Sequence, residues 1–157
     1  MTVQEPDYVY YKRRKYELVS VDSDGLFNPT EHGFDLFAPH TACWRGYIAT
    51  YAIKNQELLL RNLDCWSNPE STASLVGGHL PVESTPWGEL NFKQLEHQIP
   101  YTGYLILGGG EILGQFDYFA DWTIYELVHE CQFQQGRLVK TRDLSAEAAQ
   151  RRLHSEQ

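Results

Sequence analysis

Trp44 to Leu63, WRGYIATYAIKNQELLLRNL, constrains the fold of this chain more than any other stretch, because it spells out a complete β-hairpin. Two apolar, partly alternating runs flank the polar turn Lys54-Asn55-Gln56, and their branched and aromatic residues favour strand over helix. The same grammar returns where ELVHECQF and RLVKTRDL flank Gln134-Gln135-Gly136. There Gly136 can take the left-handed conformation that closes a three-residue hairpin loop. Two such units predict a mainly antiparallel β architecture.

The remaining segments extend that pattern. Residues 1–7 read as a loose tail, and Tyr8 to Val19 (YVYYKRRKYELV) as a first strand ended by the turn Asp22-Ser23-Asp24-Gly25. Alternation sends Lys12 and Arg14 to one face of that strand and Arg13 and Lys15 to the other, which is how an exposed edge strand discourages aggregation. Pro and Gly make 25–43 and 67–88 irregular, and loops of that length often carry function. Phe92, Leu95 and Ile99 have helical spacing and predict a short helix capped by Asn91 and stopped by Pro100. Tyr101 to Leu107 reads as a strand that Gly108-Gly109-Gly110 turns back into 111–116. Ser145 caps a terminal helix whose only apolar stripe, Ala146, Ala149 and Leu153, predicts weak docking, with residues 154–157 loose.

The expected fold is therefore mainly β (β-rich α+β), one domain over residues 1–157. Six or seven strands form an antiparallel meander that curls into a barrel or a sandwich, with one short internal helix and a C-terminal helix. An open sheet packed against the helices is the alternative.

Charge and cysteine content narrow the function. A net charge of −8 and a pI near 5.1 argue against sequence-independent binding to nucleic acid and suit a basic protein partner. Cys43, Cys65 and Cys131 are odd in number and form no CxxC pair, so neither a zinc knuckle nor a disulfide framework is indicated. No signal-peptide or membrane-spanning run is found, and a reducing cytosol fits best. No cofactor motif is present: Gly108-Gly109-Gly110-Glu111 lacks the Lys-Ser/Thr of a phosphate loop, and Asp22-Ser23-Asp24-Gly25 lacks the later ligands of a calcium loop.

Catalytic candidates are few. His129 and Cys131 project to one face of their strand, as a metal pair would, but no third ligand follows at matching spacing. Glu126 and Glu130 share the other face and suit acid/base work or a cation, although an outer sheet face looks the same. Because both faces carry apolar residues, this strand is expected to be covered on both sides. Cys43 needs a base such as His40 or His32 to act as a nucleophile. Arg45, between Trp44 and Tyr47 and followed by Gly46, is either an anchor for an anion or partner, or a structural ion pair.

TACWRGYIATYAI, then LLL, YTGYLIL and YELVHECQFQQGRLV, resembles small uncharacterised bacterial β-rich proteins with a Trp-Arg-Gly-Tyr hairpin. That resemblance implies a bacterial cytosolic origin and a single domain, and carries no activity.

The reading that follows is a protein-binding module without enzymatic activity, of the kind that neutralises a basic bacterial toxin as an immunity or antitoxin-like protein does. Its anchors are Trp44, Arg45, Tyr47, Trp66, Trp87 and Tyr104, because Trp, Tyr and Arg dominate interface energetics. The alternative is a small-molecule-binding barrel, or a hydrolase-like enzyme built on one, with Tyr104, Glu126 and His129 in its pocket. A weaker option is an enzyme using Cys43 with His40.

Overall fold

The computed structural model describes residues 4–22, 26–69, 76–114 and 121–155. The strands are β1 (Tyr8–Tyr11), β2 (Arg14–Val21), β3 (Tyr47–Lys54), β4 (Glu57–Trp66), β5 (Glu83–Ser84), β6 (Glu89–Phe92), β7 (His97–Gln98), β8 (Gly103–Ile112), β9 (Tyr125–Gln134) and β10 (Arg137–Asp143). One helix, α1 (Ser145–Ser155), follows, and short 3₁₀ turns occupy Pro29–His32 and Trp122–Ile124. The protein is mainly β, as its patterning implies.

The sheet runs β10-β9-β8-β2-β1-β3-β4 and returns on itself where Arg137 of β10 lies opposite Glu57 of β4. Leu58 N donates to the Gly136 carbonyl at 2.8 Å and Leu138 N to the Gln56 carbonyl at 2.7 Å, so the ring closes at its hairpin-turn end. Beyond that point the edge of β4 is taken by β7 and then β6. Two neighbour pairs depart from the meander: β2 lies antiparallel beside β8, and β1 runs parallel to β3, with Val9 opposite Tyr51.

Three hairpins share one turn chemistry. In Lys12-Arg13, Asn55-Gln56 and Gln135-Gly136 both central residues have positive φ, the two-residue geometry that matches strand twist. The last loop is therefore one residue shorter than its sequence suggests, with Gln134 paired directly to Arg137.

Inward-facing residues fill the centre of the ring. Val9, Tyr51, Leu58, Leu60, Leu63, Phe92, Leu105, Leu107, Cys131 and Phe133 are buried together, and the Tyr51 hydroxyl accepts from Phe27 N at 3.1 Å. A second cluster joins Val128 on the opposite face of β9 to Ile124, Tyr125, Leu144 and Ala148. Strand β9 is thus covered on both sides.

Several sequence expectations are corrected. Residues 4–7 are tied down: Glu5 N donates to the Ala42 carbonyl at 2.7 Å and Asp7 is buried, while residues 1–3 lie outside the described set. Tyr8 to Val19 is a hairpin of β1 and β2, and β1 is interior to the sheet, so the edge-strand role of the Lys12–Lys15 cluster falls away. No helix forms over Asn91–Ile99. Phe92, Leu95 and Ile99 are all buried, but the backbone turns left-handed at Gln94 and Glu96 and bonds to β4, Leu95 N to the Arg61 carbonyl and Ile99 N to the Leu58 carbonyl. A segment this short gains little from helix formation and more from pairing with a free strand edge.

Gly108-Gly109-Gly110 is not a turn either, because β8 runs through it to Ile112. A Cβ at Gly108 would meet the Tyr125 ring, and one at Gly109 the Tyr16 ring 2.7 Å away, so bare backbone here admits tyrosines on both faces. Of the strand expected over 111–116, residues 115–116 lie outside the described set. Helix α1 docks through Ala148 and Arg152, with Leu144 just before it, and not through Leu153, which is exposed. Arg152 Nη1 donates to the carbonyls of Thr123 and Tyr125, and the Ser145 hydroxyl accepts from Val128 N instead of capping the helix.

Candidate functional site

The catalytic candidates have structural roles. Cys43 is fully buried, and burial pushes its thiol up from the ordinary value, away from the thiolate a nucleophile needs. The His40 ring lies edge-on to Trp66 with centroids 6.2 Å apart. His129 packs edge-on to Tyr11 and Tyr16 at 5.8 and 5.4 Å. Glu126 Oε1 accepts from Glu111 N at 3.1 Å, and Glu130 pairs with Arg142 at 3.4 Å. Among the described residues no group of three His, Cys, Asp or Glu is placed to hold a metal.

The pocket imagined from Tyr104, Glu126 and His129 is not assembled. Tyr104 lines a surface groove of about 400 Å³ with Asp22, Ile106, Glu130 and Lys140. His129 lies on the opposite side of β9, toward the core tyrosines.

The open end of the β3–β4 hairpin is different. Three segments are stitched to Trp66, Ser67 and Asn68 by main-chain bonds: Phe37 N to the Trp66 carbonyl, Trp66 N to the Gly46 carbonyl, Ser67 N to the Gly88 carbonyl and Asn68 N to the Asp35 carbonyl, all 2.8–2.9 Å. Two glycines allow the segments to meet at Phe37. At Gly46 (φ 86°) a Cβ would sit 2.7 Å from the Phe37 carbonyl oxygen, and at Gly88 (φ 108°) it would press on the Phe37 ring at 3.1 Å. Trp44 and Trp87, within two residues of these glycines, are 62% and 67% exposed, Phe37 is 39% exposed, and Trp66 is half-buried. Leu80 and Val82 add exposed apolar surface on the segment leading to Trp87.

Arg45 and Tyr47, next along the chain from Trp44, are held in a network with Asp7. The Arg45 guanidinium stacks 4.0 Å from the Tyr47 ring centroid, Nε donates to the Tyr47 carbonyl at 3.0 Å, and Nη2 is paired with Asp7. Asp7 Oδ1 also accepts from Ala49 N at 2.8 Å. Burial pushes the Asp7 carboxyl up from its ordinary value, opposed by Arg45 and the Ala49 amide. Of the six anchors expected from sequence, the structure brings the segments carrying Trp44, Trp66 and Trp87 together, ties Arg45 to Tyr47 and Asp7, and leaves Tyr104 in another groove.

The rim is acidic. Asp35 and Glu83 are exposed, Asp64 and Glu89 half-buried, and neither stretch 16–44 nor 62–92 contains a single Lys or Arg. Phe37, Leu80 and Val82 were missed by sequence reasoning. For Phe37 the available signal was alternation, since Phe34 is buried and Leu36 half-buried while Phe37 points out.

No protein-family model matches the chain, and neither a curated protein nor a solved structure matches it at a significant level.

Proposed function

We propose that this chain is a non-enzymatic binding module whose aromatic, acid-rimmed end docks a basic protein, as an immunity-type protein masks a toxin. The observation that carries the reading is that the segments carrying exposed Trp44, Trp87 and Phe37 meet at one end of the sheet, with Asp35, Glu83 and Glu89 on those segments and the one nearby cation, Arg45, paired to Asp7. Exposed Trp side chains on a fixed backbone are the usual energetic centres of protein interfaces. A rim of one charge sign selects a complementary partner and speeds its encounter. The filled centre of the ring supports recognition on an outer surface over a ligand cavity inside it.

A photo-crosslinking residue placed at position 87, position 44 or, as a control, position 153 on α1 tests the reading in cells of the source organism. The expected result is one basic protein trapped from positions 44 and 87 but not 153, whose affinity for the purified chain falls at least tenfold in Trp87→Ala. Equal trapping from position 153, or an unchanged affinity in both Trp44→Ala and Trp87→Ala, overturns it.

A further inference from the structure

With β1 interior to the sheet, the Lys12-Arg13 pair no longer serves to guard an edge. The β1–β2 turn instead stands beside the β3–β4 turn, because β1 and β3 run parallel with Tyr10 opposite Ala52. Lys12, Arg13, Lys54 and Arg61 thereby surround one groove of about 280 Å³, whose floor is Tyr10, Ala52, Ile53 and Leu59. Glu96 is the one acidic residue in its lining, and it is paired to Lys54 at 3.1 Å. Among the described residues, Lys12, Arg13 and Arg61 have no carboxylate partner at ion-pair distance. The Arg61 guanidinium is 5.1 Å from the Tyr10 ring centroid, a stack that holds its fork in place.

We propose that this groove is a binding site for a small phosphomonoester carrying an apolar or aromatic body. Lys12 borders the groove, but its ammonium lies over the Tyr11 ring on the other face. The three remaining cations, Arg13, Lys54 and Arg61, against one carboxylate still leave more positive charge than a single carboxylate ligand would match. A phosphomonoester brings nearly two negative charges and three acceptor oxygens, enough to engage several of the cations at once. The apolar floor accounts for the body, and the volume lies near the lower limit of small-molecule sites, roughly 300 Å³. A chain of net charge −8 repels extended polyanions such as nucleic acid or an anionic bilayer, whereas a short anion feels the local field of the groove. The site is separate from the aromatic platform: the two lie at opposite ends of the same β3–β4 hairpin, roughly 25 Å apart by strand rise.

The test is titration of the full chain with phenyl phosphate, inorganic phosphate, benzoate and an oligoglutamate peptide, followed by amide chemical shifts and calorimetry. Phenyl phosphate is expected to bind one to one, to shift Tyr10, Ala52 and Leu59, and to bind at least tenfold tighter than inorganic phosphate or benzoate. Binding weakens from pH 7.5 to 5.5 as the phosphate takes up its second proton, whose pKa is about 6. Arg61→Ala, with its fold checked by thermal melting, loses roughly ten- to a hundredfold in affinity, and Lys140→Ala outside the groove loses none. Glu96→Gln frees Lys54 and strengthens binding severalfold, which keeps the test decisive should Arg61→Ala fail to fold. No saturable binding, equal affinity for benzoate, preference for the oligoglutamate peptide, or weaker binding in Glu96→Gln overturns the proposal.

Discussion

Gly108→Ala isolates the packing that lets one strand accept rings on both faces. Gly108 has no left-handed φ, so the substitution adds no backbone strain and its cost is steric. The new methyl carbon would lie 2.6 Å from Tyr125 Cγ and 2.7 and 2.8 Å from the two Cδ atoms, beneath the flat of the ring. The ring cannot swing away freely: its hydroxyl donates to Glu17 Oε2 at 2.5 Å, and its backbone carbonyl accepts from Arg152 at 3.0 Å. Overpacking of this kind costs about 1–3 kcal/mol, and displacing the ring forfeits a charge-assisted hydrogen bond worth about 1.5–3 kcal/mol, less where Glu17 meets solvent. The lower chain entropy of alanine in the unfolded state returns about 0.4–1 kcal/mol. The net loss is roughly 2–4 kcal/mol, which moves the urea midpoint down by about 1–2 M at an m-value near 2 kcal/mol/M. In a Tyr125→Ala background the space is vacant, and adding Gly108→Ala should change stability by less than about 0.5 kcal/mol. A loss of the same size in both backgrounds, or a Gly108→Ala protein as stable as the parent, would refute the account.

Three further outcomes follow from the same structure. Trp44→Ala and Trp87→Ala remove exposed side chains and should leave the melting temperature within the range of a surface substitution, about 0.5 kcal/mol, so that any loss of partner affinity reads as an interface effect. Burial, with Asp64 and Glu130 adjacent, pushes the Cys65 and Cys131 thiols up to about 12, and Cys43 is raised as well. The folded protein should therefore resist iodoacetamide at pH 8, with all three thiols labelled only on denaturation; rapid labelling of the native chain would contradict the buried positions. His97 is held below its ordinary value by burial and by His32 and His79, so the folded state favours the neutral ring. Its stability contribution is full above the unfolded pKa and is lost as pH falls through the folded one; His97→Gln should flatten the drop in melting temperature between pH 7 and 5, and an unchanged slope would count against it.

How far the fold was legible in the sequence depended on how local the deciding interactions are. The β3–β4 and β9–β10 hairpins were readable because strand pattern and turn residues agree within about twenty positions. Alternation in β9 correctly predicted cover on both faces, now seen as the core on one side and α1 on the other. Most of the failures have a distant cause. Phe92, Leu95 and Ile99 are buried as their spacing implied, but the edge of β4, some thirty residues earlier in the chain, captures their backbone as strand. Lys12 and Arg13 form a turn without glycine, so two strands read as one. The three glycines of β8 look like a turn unless Tyr16 and Tyr125 are known to press on them from either face. Arg152, which belongs to no apolar stripe, supplies a docking contact to the Thr123 and Tyr125 carbonyls that the alanines alone could not.

The candidate sites were half legible for a related reason. Residue type named Trp44, Trp66 and Trp87, but only the loop geometry around Phe37 shows that they form one surface and that Arg45 is spent on Asp7. The net charge of −8 hid a more informative pattern, because cations and carboxylates are segregated along the β3–β4 hairpin. Lys12, Arg13, Lys54 and Arg61 gather at its turn, while the stretches 16–44 and 62–92 hold no Lys or Arg and the one cation between them at the open end, Arg45, is paired to Asp7. Such separation is costly if it serves only solubility, since interspersed charges repel less than like charges grouped together. Grouping them gives each end a field of its own sign, which selects a basic partner at one and a small anion at the other. Mixing the signs, with Glu83→Lys at the open end and Arg13→Glu at the turn, should therefore raise or preserve stability while weakening both kinds of binding. If the doubly exchanged chain instead lost stability and kept its ligands, the segregation would be a feature of folding and not of recognition.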